Sequence, residues 1–576
     1  MAGNKDAADP APKRSTAAAF AAFFERRSLV MLGLGFAAGL PNLLIFDTLS
    51  AWLRESGLSL SVISFFALAT LSYSLKFVWA PLIDRTAVPG LTKVLGHRRS
   101  WMLVTQIVII IGLWLIAGTD PATDLWRIAI FAVIVGFSGA TQDIVIDAWR
   151  IEAAPGDRQG PMATAYQWGY RVAVIVAGAV PLVLAELYNW NLSYAVMAAL
   201  MLVGIGAVLL APREVQHQIR PIPVAGIPSR PAVEVGEWIA RLALIAVAAL
   251  IIGSGLTGAP ELLAGVVGGL GLPTLAADLA ALWTAKPEGT YAQVAAVVIG
   301  LGLLVIACRP IPGVKTRPGA YLGSAFGEPL ADFFKRFGPL AGLILALICF
   351  YRLADFVLNI MNPFYLDLGF SKIEIAEVRK VFGVAASMFG VFIGGLSVVR
   401  LGIIRTMVIG AFASPLSNLV FAWLAVQGPD VGALYVAIVI DNIATGYAGT
   451  ALIAYMSSLT SVGFTATQYA LFSSLYALPG KLIASQSGRL VEGWARSAEA
   501  GGVLSGLKSL FSGLPPQSFV SGAQTAGVTP AALGAGYVTF FLYSAVIGVF
   551  AIVLAFVVAK RHAALIEANA MTPATA

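Results

Sequence analysis

The chain has 576 residues, of which 58% are hydrophobic and only 12% charged, and its mean hydropathy is +0.84. A soluble globular chain carries about 25% charged residues, so this one lacks the polar surface to live in water and needs a bilayer as solvent for most of its length. Its net charge of +7 is expected to mark membrane topology rather than nucleic-acid binding, and its two cysteines, Cys308 and Cys349, both in apolar runs, speak against a disulfide framework.

No charged-then-apolar prefix with a small-residue cleavage site opens the chain, so residues 1–27 are expected to be a retained tail. A helix crossing the hydrocarbon core needs about 20 apolar residues. Such runs fall near 28–48, 60–81, 101–118, 126–147, 162–185 and 192–211, giving an amino-terminal half over 28–211. A linker, 212–338, holds a polar, proline-bearing break and two further runs near 236–257 and 291–308. Arg241, near the start of the first, is expected to reach for the interface. Runs near 339–365, 380–398, 405–426, 431–457, 464–487 and 535–559 make a second half, 339–559, followed by a tail, 560–576. The expected fold is an all-α polytopic membrane protein with 6+2+6 transmembrane helices and two pseudo-symmetric six-helix halves. Segment 488–534 is small and polar and reads as a long loop, with "GGVLSGLKSLFSGL" as a short amphipathic patch for the membrane surface.

Lysine and arginine set orientation. With a cytoplasmic amino terminus, the cytoplasmic side collects more than twice as many basic residues as the other. Both termini are then cytoplasmic, and 488–534 lies outside. A faint repeat links the halves: "ATAYQWGYR" ends at Arg171 and "SSLYALPGK" at Lys481, with Tyr166 opposite Tyr476. Paired halves of this kind are common in carriers.

Four blocks carry a more specific resemblance: "LGFAAGLPNLLIFDTLSAWL" (34–53), "SLKFVWAPLIDR" (74–85) with "GHRRSW" (96–101), "ATQDIVIDAW" (140–149) and "FTATQYALFSSLYALPGKL" (464–482). Together they resemble the AmpG muropeptide permeases of the major facilitator superfamily. The resemblance covers both six-run halves and is weakest over 212–338 and 488–534. It implies a major facilitator fold in a bacterial inner membrane. It also implies proton-driven import of N-acetylglucosaminyl-1,6-anhydro-N-acetylmuramyl peptides for peptidoglycan recycling, with a link to β-lactamase induction. Protons would be the coupling ion, no cofactor or metal is expected, and a monomer is expected.

Ionisable residues inside spans are costly and are functional candidates by default. Here they are Lys76, Asp143, Asp147, Arg171, Arg241, Arg352, Asp355, Asp441 and Lys481, with Asp47 near a helix end. Asp143 and Asp147, four apart, share a helix face about 6 Å between Cβ atoms. Two carboxylates that close cannot both ionise cheaply in a poorly hydrated site, so one is expected to take up and release the coupling proton. Arg171 is the expected partner of Asp143. The competing reading makes the pair a structural latch, closing on the loop signature formed by Asp84, Arg85, Arg98 and Arg99, which the resemblance assigns to gating.

Arg171 and Lys481 suit the carboxylates of a peptide stem. Arg352, Asp355, Asn359 and Asn362 recur three or four apart, giving one polar stripe expected to face a cavity. Gln142, Gln167 and Asn442 offer amides to sugar hydroxyls and N-acetyl groups, and Tyr166 a ring to stack on a pyranose face; each could equally join helices. An enzyme is disfavoured, since His97, His217 and His562 all lie in loops or tails and no nucleophile or metal motif stands out. A channel is disfavoured by opposed halves with buried charge. The alternative function is a carrier of the same fold for another anionic cargo, such as a sugar, a peptide or an acyl-coenzyme A.

Overall fold

The structure is a computed structural model, which describes residues 20–57, 71–154, 158–214, 219, 224, 226–258, 260–285, 288–357, 360–484 and 487–571. Among these no strand occurs. In lipid every backbone N–H and C=O must be satisfied within its own segment, which long apolar helices do. The main helices are α1 (Arg26–Leu43), α2 (Ala80–Arg85), α3 (His97–Ala117), α4 (Leu125–Glu152), α5 (Gln159–Leu187) and α6 (Trp190–Leu210). The linker contributes α7 (Pro231–Thr257), α8 (Glu288–Cys308) and α9 (Glu328–Phe337). The remainder holds α10 (Leu340–Phe350), α11 (Met361–Leu368), α12 (Gly383–Leu401), α13 (Ile403–Ser417), α14 (Val431–Ser458), α15 (Thr465–Ala484), α16 (Ser487–Glu499) and α17 (Pro530–Met571).

Ten described helices are long and apolar enough to cross a membrane, or eleven if a pair bent by 109° at the α9–α10 junction counts as one span. Four expected runs depart from this. The run at 28–48 passes into a π stretch at Leu44–Thr48, three residues after Pro41. That at 60–81 lies largely outside the described residues, and what is described is broken by a 3-10 turn at Lys76–Val78. The run at 339–365 breaks between α10 and α11. α15 is long enough but too polar to count.

Small residues let the helices touch. A methyl group added at Gly35 or Gly169 would collide with the facing backbone of the other α1/α5 partner, and at Gly390 or Gly446 with that of the α12/α14 pair. The halves meet along α5 with α12, and along α2 and α4 with α15. At the first seam, side chains beyond hydrogen at Gly160 or Gly395 would strike the opposite helix. α7 and α8 pack on each other, and their Ala248, Ile252, Leu304 and Cys308 share a buried cluster with Ile83 of α2 and Ala470 of α15. Arg241 does not reach for the interface: it is buried, paired with Glu237 at 2.7 Å, and donates to the carbonyls of Ala307 and Arg309. Closing the C-terminal carbonyls of α8 satisfies it better than water would.

Segment 488–534 is not a structureless loop. α16, a 3-10 stretch at Val503–Phe511 and a short helix at Val520–Ala526 pack on α17. Phe511 and Phe519 are buried in that cluster, Leu504 and Leu507 half so, and Val503 is fully exposed. The amphipathic pattern is real, and protein covers part of its apolar face, with Val503 and Leu510 left exposed.

Candidate functional site

One end of the bundle carries the meeting of Asp84, Arg98 and Glu152. Arg98 is fully buried and donates from Nη2 to Asp84 at 2.6 Å and to Glu152 at 2.7 Å, and from Nε to Glu152 at 3.1 Å. Asp84, on α2, reaches across the seam to α15: its oxygens accept the backbone N–H groups of Ala466 (3.2 Å) and Thr467 (2.8 Å) and the Thr467 hydroxyl (2.6 Å). A carboxylate at a helix N-terminus satisfies orphan donors and meets the positive end of the dipole. Arg85 reaches the linker instead, donating to the Ser324 carbonyl (2.7 Å) and Glu328 of α9 (2.9 Å). Arg99 takes no part in this crossing; it donates to the Val208 and Leu209 carbonyls at the end of α6, within its own half.

Asp147 belongs to the same sealed layer. It pairs with Arg150 at 3.2 Å, and Arg150 in turn donates to Ser457 of α14 (2.8 Å) and lies 5.2 Å from the Tyr469 ring of α15. One turn along α4, Asp143 is different. It is buried, its Oδ1 has no hydrogen-bond partner among the described residues, and its charged neighbours are Lys76 and Asp147. The expected partner, Arg171, is elsewhere: the charge acting on it is Arg352 of the opposite half. Lys76, from the broken second run, stands where Arg171 was expected, and only the fold could bring it there.

Gln142 is fully buried and donates to the Ala37 carbonyl at 2.9 Å, the acceptor that Pro41 leaves without its helical donor. It is not among the residues that line the cavity described below. Gln167 donates to Thr450 of α14 (2.7 Å), with its Oε1 and Arg352 Nη1 both close to Gly449. Tyr166 is half-buried, its ring 6.0 Å from that of Tyr170. Arg171 and Gln167 thus approach Arg352 at the centre of the bundle, while Asp143 and Asp147 stand toward the sealed end.

Between that centre and the other end, a cavity of about 270 Å³ is lined by Arg352, Asp355, Tyr365, Arg379, Asp441 and Asn442, among others. Arg352 and Asp355 pair at 2.6 Å, and the Ser414 hydroxyl also donates to Asp355. Asn362 is exposed and accepts from Arg379, whose guanidinium lies 5.5 Å from the Tyr365 ring. Asn442 donates to the Ile438 carbonyl at 2.9 Å. The stripe read in the sequence therefore supplies the cavity's Arg352–Asp355 pair; Asn359, and the side chain of Lys481, lie outside the described residues. Arg379 and Asp441 were not singled out for binding. Their signal, a charge at the outer part of a span, is weak until the facing helices are known. Among the described residues no group of three His, Cys, Asp or Glu side chains could hold a metal.

Relatives agree with this architecture. An anhydromuropeptide permease of Escherichia coli K12 is 29% identical over 478 residues, covering 82% of this chain and 76% of that protein. A Rickettsia conorii protein carrying the name AmpG 4 is 29% identical over 479 residues, covering 82% and 92%. The AmpG resemblance read from the four blocks is thus borne out, and the named relatives are transporters and permeases. Among solved structures, the proton:xylose symporter XylE bound to 6-bromo-6-deoxy-D-glucose matches with a TM-score of 0.50 at 12% identity, covering 92% of this chain and 95% of that one, a likeness of fold. The family model for the Major Facilitator Superfamily matches residues 28–484, through both seams and the cavity: the chain belongs to the Major Facilitator Superfamily.

Proposed function

We propose that this protein imports anhydromuropeptides across a bacterial inner membrane by alternating access, driven by protons. The cargo class is supported by the permease relatives and the direction by the AmpG resemblance of the four sequence blocks, and the excess of basic residues favours a cytoplasmic side for both termini and the sealed end. The observation that carries the coupling is Asp143, a buried carboxyl with a bare oxygen, set beside a lysine and a second carboxylate and one turn from the latch that seals the cytoplasmic end. A proton arriving there changes the charge of that layer, and charge is what holds the layer shut. Cargo enters from the periplasmic side toward Arg352, Arg171 and Gln167, and leaves after the seams rock open. One proton moved through 100 mV supplies about 2.3 kcal/mol, about a fifty-fold accumulation.

The test is uptake of labelled anhydromuropeptide into vesicles with and without an imposed pH gradient. Gradient-dependent accumulation is expected in the parent and its loss in Asp143→Asn, with membrane insertion intact. Full accumulation by that variant, or by the parent after ionophores collapse the gradient, refutes the coupling.

A further inference from the structure

The cavity between the α10–α11 break, α11, the π stretch at Glu377–Phe382 and α14 holds a second, more particular piece of chemistry. Four charges line it, two of each sign: Arg352, Arg379, Asp355 and Asp441. Arg352 and Asp355 neutralise one another at 2.6 Å. The other two do not. Among the described residues, Arg379 bonds the neutral Asn362 and leans on the Tyr365 ring, and Asp441 receives a long bond from Ser417, at 3.3 Å. Among the described residues neither forms an ion pair. Opposite charges left apart across one small cavity, each partly stripped of water, are costly unless something with the reverse pattern joins them.

Volume and charge restrict the occupant. About 270 Å³ falls just below the ordinary range for whole ligands, about 300–1,000 Å³, so a disaccharide-peptide cannot enter, but one end of it can. A plain anion would meet Asp441 beside Arg379, and a plain cation would meet Arg379 beside Asp441. A group carrying ammonium and carboxylate close together meets neither penalty. Met361, Tyr365 and Phe421 offer an apolar wall for the carbons between.

We propose that this cavity binds an unblocked α-amino-acid centre of the cargo, with its ammonium at Asp441 and its carboxylate at Arg379. The assignment to cargo rests on the peptide-bearing muropeptide proposed above; the cavity's preference for a zwitterion does not. The Arg352–Asp355 pair keeps the remainder of the cavity neutral, so the zwitterion is selected against singly charged groups.

Two measurements on the full chain test this. In the first, unfolding midpoints of purified protein are read with millimolar alanine, N-acetylalanine or alaninamide. Alanine alone is expected to raise the midpoint, and Asp441→Asn and Arg379→Gln to abolish the rise. Equal shifts from all three compounds, or none from any, overturn the proposal. In the second, vesicles take up anhydromuropeptide with its amine free or acetylated, and its carboxylates free or amidated. Each blocking group is expected to raise KM about tenfold, the worth of one charged hydrogen bond. The penalty for acetylation vanishes in Asp441→Asn and that for amidation in Arg379→Gln. Retention of both penalties in the variants overturns the assignment. Failure of the parent to take up any muropeptide, with the alanine result intact, removes the cargo reading and leaves the zwitterion site standing.

Discussion

Two regions of this bundle treat the same residue types in opposite ways. At the sealed end each buried carboxylate is answered: Asp84 and Glu152 by Arg98, Asp84 again by the first amides of α15, and Asp147 by Arg150. Beyond that layer, among the described residues, Asp143 has a bare oxygen, Asp441 and Arg379 share a cavity without an ion pair, and Arg171 faces another arginine. A buried pair that loses a partner is strongly destabilised, whereas an unpaired charge is retained only where something is to arrive. The sealed layer is a fastening, and the unanswered groups are where the proposed function has cargo and proton received.

The sharpest way to break that contrast is Arg98→Met, which strands two carboxylates and is expected to cost about 3–5 kcal/mol of stability, read as a lowered thermal midpoint of the purified protein. A midpoint unchanged from the parent would mean that the fastening holds by packing alone. Asp147→Asn is next. Arg150 keeps Ser457 and the Tyr469 ring, so the loss is about 1–3 kcal/mol, and gradient-driven uptake persists where Asp143→Asn has none. If the two variants behave alike in uptake, the division drawn along α4 fails. Arg99→Gln tests the edge of the fastening: an arginine on the last carbonyls of α6 is worth about 0.3–1 kcal/mol, so uptake should be unaffected and the midpoint barely moved.

The mildest effect belongs to Glu499 at the outer end of α16. Hydrogen bonds from Thr529 hold its carboxyl below the usual glutamate value. A depressed carboxyl stabilises above its unfolded value and loses that contribution as pH falls through the folded one. Amide protection factors over 503–529, taken relative to the intrinsic rate at each pH, should therefore fall in acid, and Glu499→Gln should remove that pH dependence.

Much of this was legible because hydropathy reports burial in lipid directly. The long helices, the two linker helices and the four family blocks all sit where the apolar runs and motifs put them. What hydropathy cannot see is how a run is wound: Pro41, the Lys76 turn and the α10–α11 break all interrupt stretches that look uniformly apolar. Nor does it fix which face turns inward. Asp143 was paired with Arg171 because adjacent helices are the natural guess, yet the rotation of α5 takes Arg171 to the other half and Lys76 fills its place. Gln142 looked like a sugar contact for the same reason. The cap that Asp84 places on α15 joins residues nearly four hundred positions apart, a relation no local pattern encodes.

That glutamine has one more consequence. By donating to Ala37, it mends the carbonyl that Pro41 orphans and so welds the first helix to the fourth. The turn that Pro41 weakens is then held by α4 as well as by its own helix, and in the proposed rocking the two helices are expected to move together. In the proposed cycle, α4 then links movement of the first helix to the layer where the carboxylates are clasped.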